Sequence, residues 1–239
     1  MRILIALLVL IMLTPAKAAS FDPAQRQEIV GILRDALRTD PTLLRDALAA
    51  LQADEAHRQD QVTRDVLTML GPHLVTPQDP VQGNPFGDVT VVEFYDTRCP
   101  YCRRMLPVMA QLIETDPKVK LVMKDLPILG PASELESRVL LAAQKQGGYF
   151  KLQAAIMAAS APPTRDSLRA IADREGLDGN GILRDMDDPA IKARLTANLD
   201  LAKQIGIEGT PAIIVGTRMF AGATELADLQ AAIAAARAK

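Results

Sequence analysis

The chain has 239 residues with 27 Lys and Arg, 29 Asp and Glu, and a formal net charge of −2. A mildly acidic chain without a basic tail is a poor candidate for binding nucleic acid. Hydrophobic residues make up 49% of the chain and charged residues 23%, which is enough for a buried core and excludes a disordered protein. Only two cysteines are present, so a scaffold held together by many disulfides is excluded as well.

Residues 1–18 have the pattern of a cleavable signal peptide. Arg2 gives a basic start, residues 3–13 are apolar, and Ala16-Lys17-Ala18 places small residues at the positions that a signal peptidase reads. The apolar run is shorter than a membrane span, which makes an uncleaved anchor the weaker alternative. We therefore expect an exported, periplasmic protein that is cleaved after Ala18 and carries a formal charge of −4.

Residues 19–75 are predicted to form a helical arm. Apolar residues recur at helical spacing, and Asp22-Pro23 and Asp40-Pro41 are typical starts of two successive helices. The apolar stripe has two possible partners. It packs on the chain's own domain or, because the arm lies apart from the later sequence pattern, it joins copies of the chain into a homo-oligomer through residues 21–70.

A link rich in proline and glycine, residues 76–87, separates the arm from an alternation of strand and helix patterns. The order is strand, helix, strand, a long helical block at about 130–205, and then strand, strand and helix. This order predicts an α/β domain at 76–239. The predicted strands are residues 88–96, 119–123, 211–215 and 218–220. Lys124, directly after the second strand, is expected to be a solvent-exposed lysine.

Both cysteines lie in the motif Cys99-Pro100-Tyr101-Cys102, between the first strand of this domain and the helix that follows. Unpaired N–H groups and the helix dipole favour negative charge at a helix N-terminus, so a Cys99 thiolate is stabilised there. Cys102 lies one turn further on, close enough to attack a mixed disulfide on Cys99 and release its partner. The motif therefore predicts a reversible redox couple. A purely structural disulfide is less favoured, because it would close only a short loop.

The same spacing of two cysteines also occurs in structural zinc sites, but zinc needs about four ligands. The chain offers only His57 and His73 besides the cysteines, and both lie in the helical arm, where we expect solvated surface positions. This separation also argues against a Cys–His protease, and no motif supports Ser–His hydrolysis. We therefore expect no metal site and no cofactor.

The run Val91-Val92-Glu93-Phe94-Tyr95 before the cysteine motif resembles the active-site strand of thioredoxin-fold proteins. The helical block resembles the insertion of the DsbA family, and Gly209-Thr210-Pro211 is similar to the cis-proline loop that faces the redox cysteines in this superfamily. The likeness covers about residues 80–237 and implies a DsbA-like thioredoxin fold with an inserted helical domain. The arm resembles that of the ScsC proteins (suppressor of copper sensitivity), DsbA-like proteins whose N-terminal helices assemble them.

The resemblance implies a role for each matching residue. Cys99 is implied to be the attacking, solvent-facing thiol and Cys102 the resolving thiol. Glu93 is implied to be a buried acid that assists proton transfer at Cys102, although the residues alone also allow an outward-facing strand glutamate. A further group is implied to shape the groove for an extended substrate peptide. Its members are Pro100, Tyr101, Thr210 and Pro211.

The implied function is a periplasmic thiol-disulfide oxidoreductase that exchanges disulfides with exported proteins and works with a membrane redox partner. Strongly oxidising family members carry a histidine where Tyr101 stands, so we expect a less oxidising isomerase or reductase. Thr210 and an oligomerising arm resemble isomerases as well. The alternatives are a monomeric DsbA-type dithiol oxidase and a periplasmic copper-binding or copper-tolerance protein, because two thiolates can hold Cu(I).

Overall fold

The computed structural model describes residues 21–159 and 162–238, which form two compact units, one up to Ala56 and one from His57 onwards. The predicted signal peptide lies outside the described residues. The division falls within the predicted arm, so the last turns of its second helix belong to the second unit. None of the described helices is both long and apolar enough to cross a membrane.

The first unit consists of helix α1, Pro23–Thr39, and the beginning of helix α2, Thr42–Leu70. Asp22 starts α1, because its carboxylate accepts the N–H of Gln25 while the Gln25 side chain accepts the N–H of Asp22. Both predicted helices are therefore present, but no residue of α1 is buried. The apolar stripe stays exposed. Its large members are Ile29, Val30, Ile32, Leu33, Leu37, Leu43, Leu44, Leu48 and Leu51.

Within its described residues, the second unit is built on a five-stranded mixed sheet of order β1-β3-β2-β4-β5. The strands are β1 (Val81–Gly83), β2 (Val89–Tyr95), β3 (Val119–Asp125), β4 (Ala212–Val215) and β5 (Arg218–Ala221). Strand β2 is central, because it pairs with β3 in parallel and with β4 antiparallel. Strand β1 was not predicted, since its three residues show no strand pattern and are held by pairing with β3.

Helix α3, Pro100–Thr115, connects β2 to β3, and Pro107 lies inside it without ending it. The predicted helical block is an insertion between β3 and β4. Its helices are α4 (Pro131–Ala143), α5 (Tyr149–Ala158), α6 (Arg165–Arg174), α7 (Gly179–Asp185) and α8 (Pro189–Ile205). Helix α9, Leu226–Arg237, closes the unit. The structure therefore has the predicted DsbA-like thioredoxin fold with a helical insertion.

The side chains of β2 alternate between two apolar cores, one on each face of the sheet. Val91 and Tyr95 face the larger core, which contains both cysteines and side chains of α3, the insertion and α9. Val92 and Phe94 face the smaller core, together with Leu67 near the end of α2. The odd-numbered residues of β2 therefore share their face of the sheet with the cysteines.

Lys124 is buried in β3 rather than exposed, with 2% of its side chain accessible. Its ammonium lies 2.7 Å from a carboxylate oxygen of Asp79, which is itself buried, and the Arg194 guanidinium lies 3.7 Å from the other oxygen. The expectation of a surface lysine was wrong because β3 continues to Asp125, so Lys124 pairs with Phe94 inside the sheet. A buried charge of this kind depends on its partner.

We expect Asp79→Ala to lower the free energy of unfolding by about 3 kcal/mol or more, because Lys124 would remain as a buried charge without its closest partner. Urea titration at neutral pH, followed by circular dichroism, measures the change. The control is Asp200→Ala, which removes an exposed ion pair with Lys203. This control should cost less than about 1 kcal/mol. Equal losses in the two variants would contradict the prediction.

Candidate active site

The two cysteines lie at the junction of β2 and α3. Residues 96–98 form a turn after the strand, and Cys99 caps the N-terminus of α3 with an extended backbone. Pro100 occupies the first helical position, where the missing N–H has no helical acceptor to lose. Cys102 follows one turn further into the helix, and both thiols are free.

Cys99 is covered rather than solvent-facing, with only 4% of the residue exposed. Its Sγ donates a hydrogen bond to the carbonyl oxygen of Thr210 at 3.1 Å. The peptide bond between Thr210 and Pro211 is cis. The structure corrects the expected solvent-facing position of this thiol, because the loop before β4 lies against it.

Strand β4 brings this loop to the cysteines. It pairs antiparallel with β2, with Ala212 opposite Phe94 and Ile213 opposite Glu93. Because Pro211 directly precedes Ala212, the loop lies beside the end of β2, where the turn towards Cys99 begins. The pairing therefore brings Thr210 next to Cys99, although the two residues are 111 positions apart in the chain.

Cys102 lies deeper, and burial raises the pKa of its thiol well above the ordinary value. Hydrogen bonds with the Asp96 backbone and with Thr210 lower this pKa, whereas the charge of Glu93 raises it. Burial is the largest of these effects, so Cys102 is a neutral thiol at physiological pH. It needs a proton acceptor before its sulfur can attack a disulfide.

Glu93 is buried in the middle of the sheet, with 3% of the residue exposed, and this excludes the outward-facing alternative. As an odd-numbered residue of β2, it faces the core that contains the cysteines. Burial raises the pKa of the Glu93 carboxyl group to about 8. The carboxyl group interacts electrostatically with the Cys102 thiol. Its proton affinity therefore suits exchange of a proton with a thiol near neutral pH.

An open groove of about 650 Å³ runs between the start of α3 and the loop that contains Thr210. Tyr101 and Thr210 line it, whereas Pro100 and Pro211 are not part of its wall. Pro100 is exposed to solvent and Pro211 is buried. The Arg104 guanidinium stacks over the Tyr101 ring at 4.4 Å from its centroid. Lining residues that the sequence did not indicate include Arg104, Met105, Val108, Glu208, Met219 and Glu225.

A buried polar cluster lies next to the end of β2. Asp125 accepts hydrogen bonds from the hydroxyl groups of Tyr95 at 3.1 Å and Tyr149 at 2.7 Å. Burial raises the pKa of the Asp125 carboxyl group to about 6. The hydrogen bonds of this cluster connect the start of α5, in the insertion, to strands β2 and β3. No local sequence pattern indicates these contacts, or those of Asp96 with the loop after β3, because the partners lie at least 24 positions away in the chain.

We expect Glu93→Gln to remove a pH dependence of stability. The Glu93 carboxyl group has a pKa of about 8 in the folded protein, against an ordinary value of 4.5. The folded state therefore holds a proton that the unfolded chain releases, so the wild-type protein loses stability as the pH rises through this range. At about pH 9 the variant should be more stable than wild type by something on the order of 4 kcal/mol.

Urea titrations at about pH 5 and about pH 9 measure this difference. Glu114→Gln, which removes an exposed carboxylate on α3, is the control and should follow the wild-type profile. Parallel stability profiles of Glu93→Gln and wild type over the whole range would show that the buried carboxyl group does not titrate as described.

Comparison with known families and solved structures agrees with this geometry. Residues 90–234 match the model of the DSBA-like thioredoxin domain, and residues 25–58 match that of the copper resistance protein ScsC N-terminal domain. A thioredoxin-like oxidoreductase from Silicibacter pomeroyi DSS-3 is 40% identical with a TM-score of 0.67, covering 70% of this chain and 96% of that one. Proteus mirabilis ScsC in a transitional conformation is 26% identical with a TM-score of 0.66, covering 91% and 99%.

Among curated proteins, the Na(+)/H(+) antiporter NhaA 3 of Salinispora tropica is 28% identical over 169 residues, or 68% of this chain. The chain spans only 26% of the length of that relative, so the match carries no transport activity over to it. The DSBA-like match, by contrast, covers more than half of the chain and contains both cysteines, the helical insertion and the Thr210 loop. This protein belongs to the DsbA-like thioredoxin family of thiol-disulfide oxidoreductases.

Proposed function

We propose that this protein exchanges disulfides with exported proteins in the periplasm, with Cys99 as the attacking thiol and Cys102 as the resolving thiol. The observation that carries the proposal is the 3.1 Å contact between Cys99 Sγ and the Thr210 carbonyl oxygen, at a loop that lines an open groove. An extended substrate that pairs with the backbone of this loop brings its own sulfur next to Cys99. The signal-peptide pattern of residues 1–18 supports the periplasmic location.

The exchange begins when the Cys99 thiolate attacks one sulfur of a substrate disulfide. A mixed disulfide forms, and the other substrate sulfur leaves as a thiolate. In isomerisation, this thiolate attacks another disulfide of the substrate, and a different substrate thiolate later attacks the mixed disulfide. Cys99 is then released as a thiolate, and no electrons have been transferred overall.

In reduction, Cys102 attacks the Cys99 sulfur of the mixed disulfide instead. The Cys99–Cys102 disulfide forms, and the substrate has gained two electrons and two protons. Glu93 faces the same core, and its pKa of about 8 leaves a fraction of the carboxyl group ionised near neutral pH. This ionised form accepts the proton of Cys102 and later releases it to water, while the departing substrate thiolates take their protons from water. A membrane redox partner then returns the pair to its dithiol form.

Tyr101 favours isomerase or reductase activity over strong oxidation. It stands between the cysteines, and 52% of it is exposed. A histidine at this place would add a positive charge next to the Cys99 thiolate and so stabilise the reduced pair. Tyrosine adds no such charge, so the Cys99–Cys102 disulfide is a weaker oxidant than it would be with a histidine at position 101.

The uncovered apolar stripe of α1 and the first part of α2 supports assembly of several copies of the chain. Nine large apolar side chains between residues 29 and 51 are exposed, and α1 buries none of its residues. An apolar surface of this extent is typical of a contact with another chain. We therefore assign residues 1–18 as the signal peptide, 19–75 as the assembling arm and 76–239 as the redox domain.

Copper binding is the second candidate, and the match of residues 25–58 to a domain named for copper resistance supports it. In the part of the chain that the structure describes, no group of three or more His, Cys, Asp or Glu side chains is placed to hold a metal ion. Among these residue types, Cys99 and Cys102 are the pair that could bind Cu(I). Thiol exchange is the function that the site favours.

We expect Cys99→Ser to reduce refolding of scrambled ribonuclease and reduction of insulin to the uncatalysed rate, because no attacking sulfur remains. Cys102→Ser should still attack and should accumulate a mixed disulfide, which non-reducing gel electrophoresis detects. Full activity of Cys99→Ser would refute the proposed function. Activity of the wild-type protein on scrambled ribonuclease that exceeds its oxidation of dithiols would support the isomerase direction, and the reverse would favour an oxidase.

We expect Leu48→Glu to lower the mass of the protein in solution towards that of a monomer, because a charge in the apolar stripe cannot be buried between chains. Light scattering coupled to gel filtration measures the mass. Ala49→Glu places the same charge on the opposite side of α2 and should leave the mass unchanged. A wild-type protein that is already monomeric would contradict the assembly and support the monomeric oxidase.

A further inference from the structure

Asp96, the residue that follows β2, makes contacts that the exchange reaction does not explain. It is completely buried. Its Oδ1 accepts the N–H of Arg98 at 2.8 Å, and its Oδ2 accepts the N–H groups of Ile128 and Leu129 at 2.9 and 3.0 Å. One carboxylate with three main-chain donors therefore joins the turn before Cys99 to the loop that follows β3.

The main chain of Asp96 contacts both cysteines. Its carbonyl oxygen accepts the N–H of Cys99 at 3.0 Å. Its backbone also hydrogen-bonds to Cys102 and thereby lowers the pKa of that thiol, against the larger effect of burial. The carboxylate and these peptide groups belong to one residue. The hydrogen bonds of the carboxylate therefore determine how the peptide groups are directed at the two cysteines.

A second carboxylate, that of Glu136, binds the side chains of the other two residues of the turn, Thr97 and Arg98. The Thr97 hydroxyl donates to Glu136 Oε2 at 2.6 Å, and the Arg98 guanidinium lies 3.5 Å from Glu136 Oε1. Glu136 is a buried residue of α4, the first helix of the insertion. Each residue of the turn 96–98 is thus bound to the beginning of the insertion, either to the loop after β3 or to α4.

We propose that Asp96 is a positioning residue for the Cys99–Cys102 couple, with Glu136 as the second support of the same turn. The proposal rests on the proposed function, because it concerns the sulfur that resolves the mixed disulfide. Asp96 holds its backbone towards Cys102, so a hydrogen-bond donor is in place when the sulfur becomes negative. Cys102 is a neutral thiol in the resting reduced pair and becomes negative only when it attacks the mixed disulfide, so the support speeds the resolving step.

The main test is Asp96→Asn, which keeps the size of the side chain and replaces one accepting oxygen with a donor. At least one of the three N–H contacts is then lost. We expect the release of glutathione from Cys99 by Cys102 to slow down about fivefold or more, because the Cys102 sulfur loses part of its support when it becomes negative. A residue that only stabilises the fold would leave this rate unchanged.

Asp178→Asn is the matched control. The Asp178 carboxylate also accepts a main-chain N–H, that of Gly181 at 2.9 Å, but at the start of α7. This variant should keep the rate of glutathione release within about twofold of wild type. A folded, active Asp96→Asn protein with a rate of glutathione release within about twofold of wild type would overturn the proposal. Absence of exchange activity in the wild-type protein would instead overturn the proposed function, so the two failures are distinguishable.

Two variants of Thr97 carry the test if Asp96→Asn does not fold. Thr97→Val removes the hydroxyl that binds Glu136 and should slow the release of glutathione from Cys99, as Asp96→Asn does. Thr97→Ser keeps the hydroxyl and should behave like wild type. A rate of glutathione release that both variants change equally, or that neither changes, would overturn the role of the turn.

Discussion

The antiparallel pairing of β2 with β4 is the contact on which the candidate active site depends. It sets Ala212 opposite Phe94 and thereby carries the Thr210 carbonyl oxygen to 3.1 Å from Cys99 Sγ. A shift of the register by one residue would exchange the side chains that β4 contributes to the two cores and displace this loop. Without the pairing, the cysteines would still stand at a helix N-terminus. They would lack the loop that covers Cys99 and forms one wall of the groove.

Loss of solvent at the end of β2 explains most of the chemistry of the site. Burial raises the pKa of the Cys102 thiol, brings that of Glu93 to about 8 and brings that of Asp125 to about 6. The two carboxyl groups therefore exchange protons nearer to neutral pH than they would in water, whereas the Cys102 thiol on the same face of the sheet holds its proton more firmly. Hydrogen bonds act against this trend, from the Asp96 backbone and Thr210 at Cys102 and from Tyr149 and Tyr95 at Asp125, but burial has the larger effect.

The two units differ in how far they bury their own apolar side chains. The second unit buries apolar side chains on both faces of its sheet and even encloses the charges of Lys124 and Asp79 by pairing them. The helices of the first unit are capped locally, as at Asp22, but bury no apolar side chain of α1. An amphipathic helix gains most of its stability when another surface packs against its apolar stripe. The residues of the candidate active site all lie in the second unit, whereas the large apolar side chains of α1 remain exposed.

The sequence by itself determined the elements whose signals are local. The helix starts at Asp22-Pro23, the buried strand β2, the placement of Cys99 before α3 and the helical insertion all follow from caps, periodicity and spacing among near neighbours. Only the tertiary structure decided that Cys99 is covered, that Lys124 is buried and that the Asp96 carboxylate binds the loop after β3. The reason is physical: Thr210 lies 111 positions from Cys99 and Ile128 lies 32 positions from Asp96, and Asp79 is likewise remote from Lys124 in the chain. Which distant groups meet depends on strand pairing and burial, and no local pattern of residues encodes either.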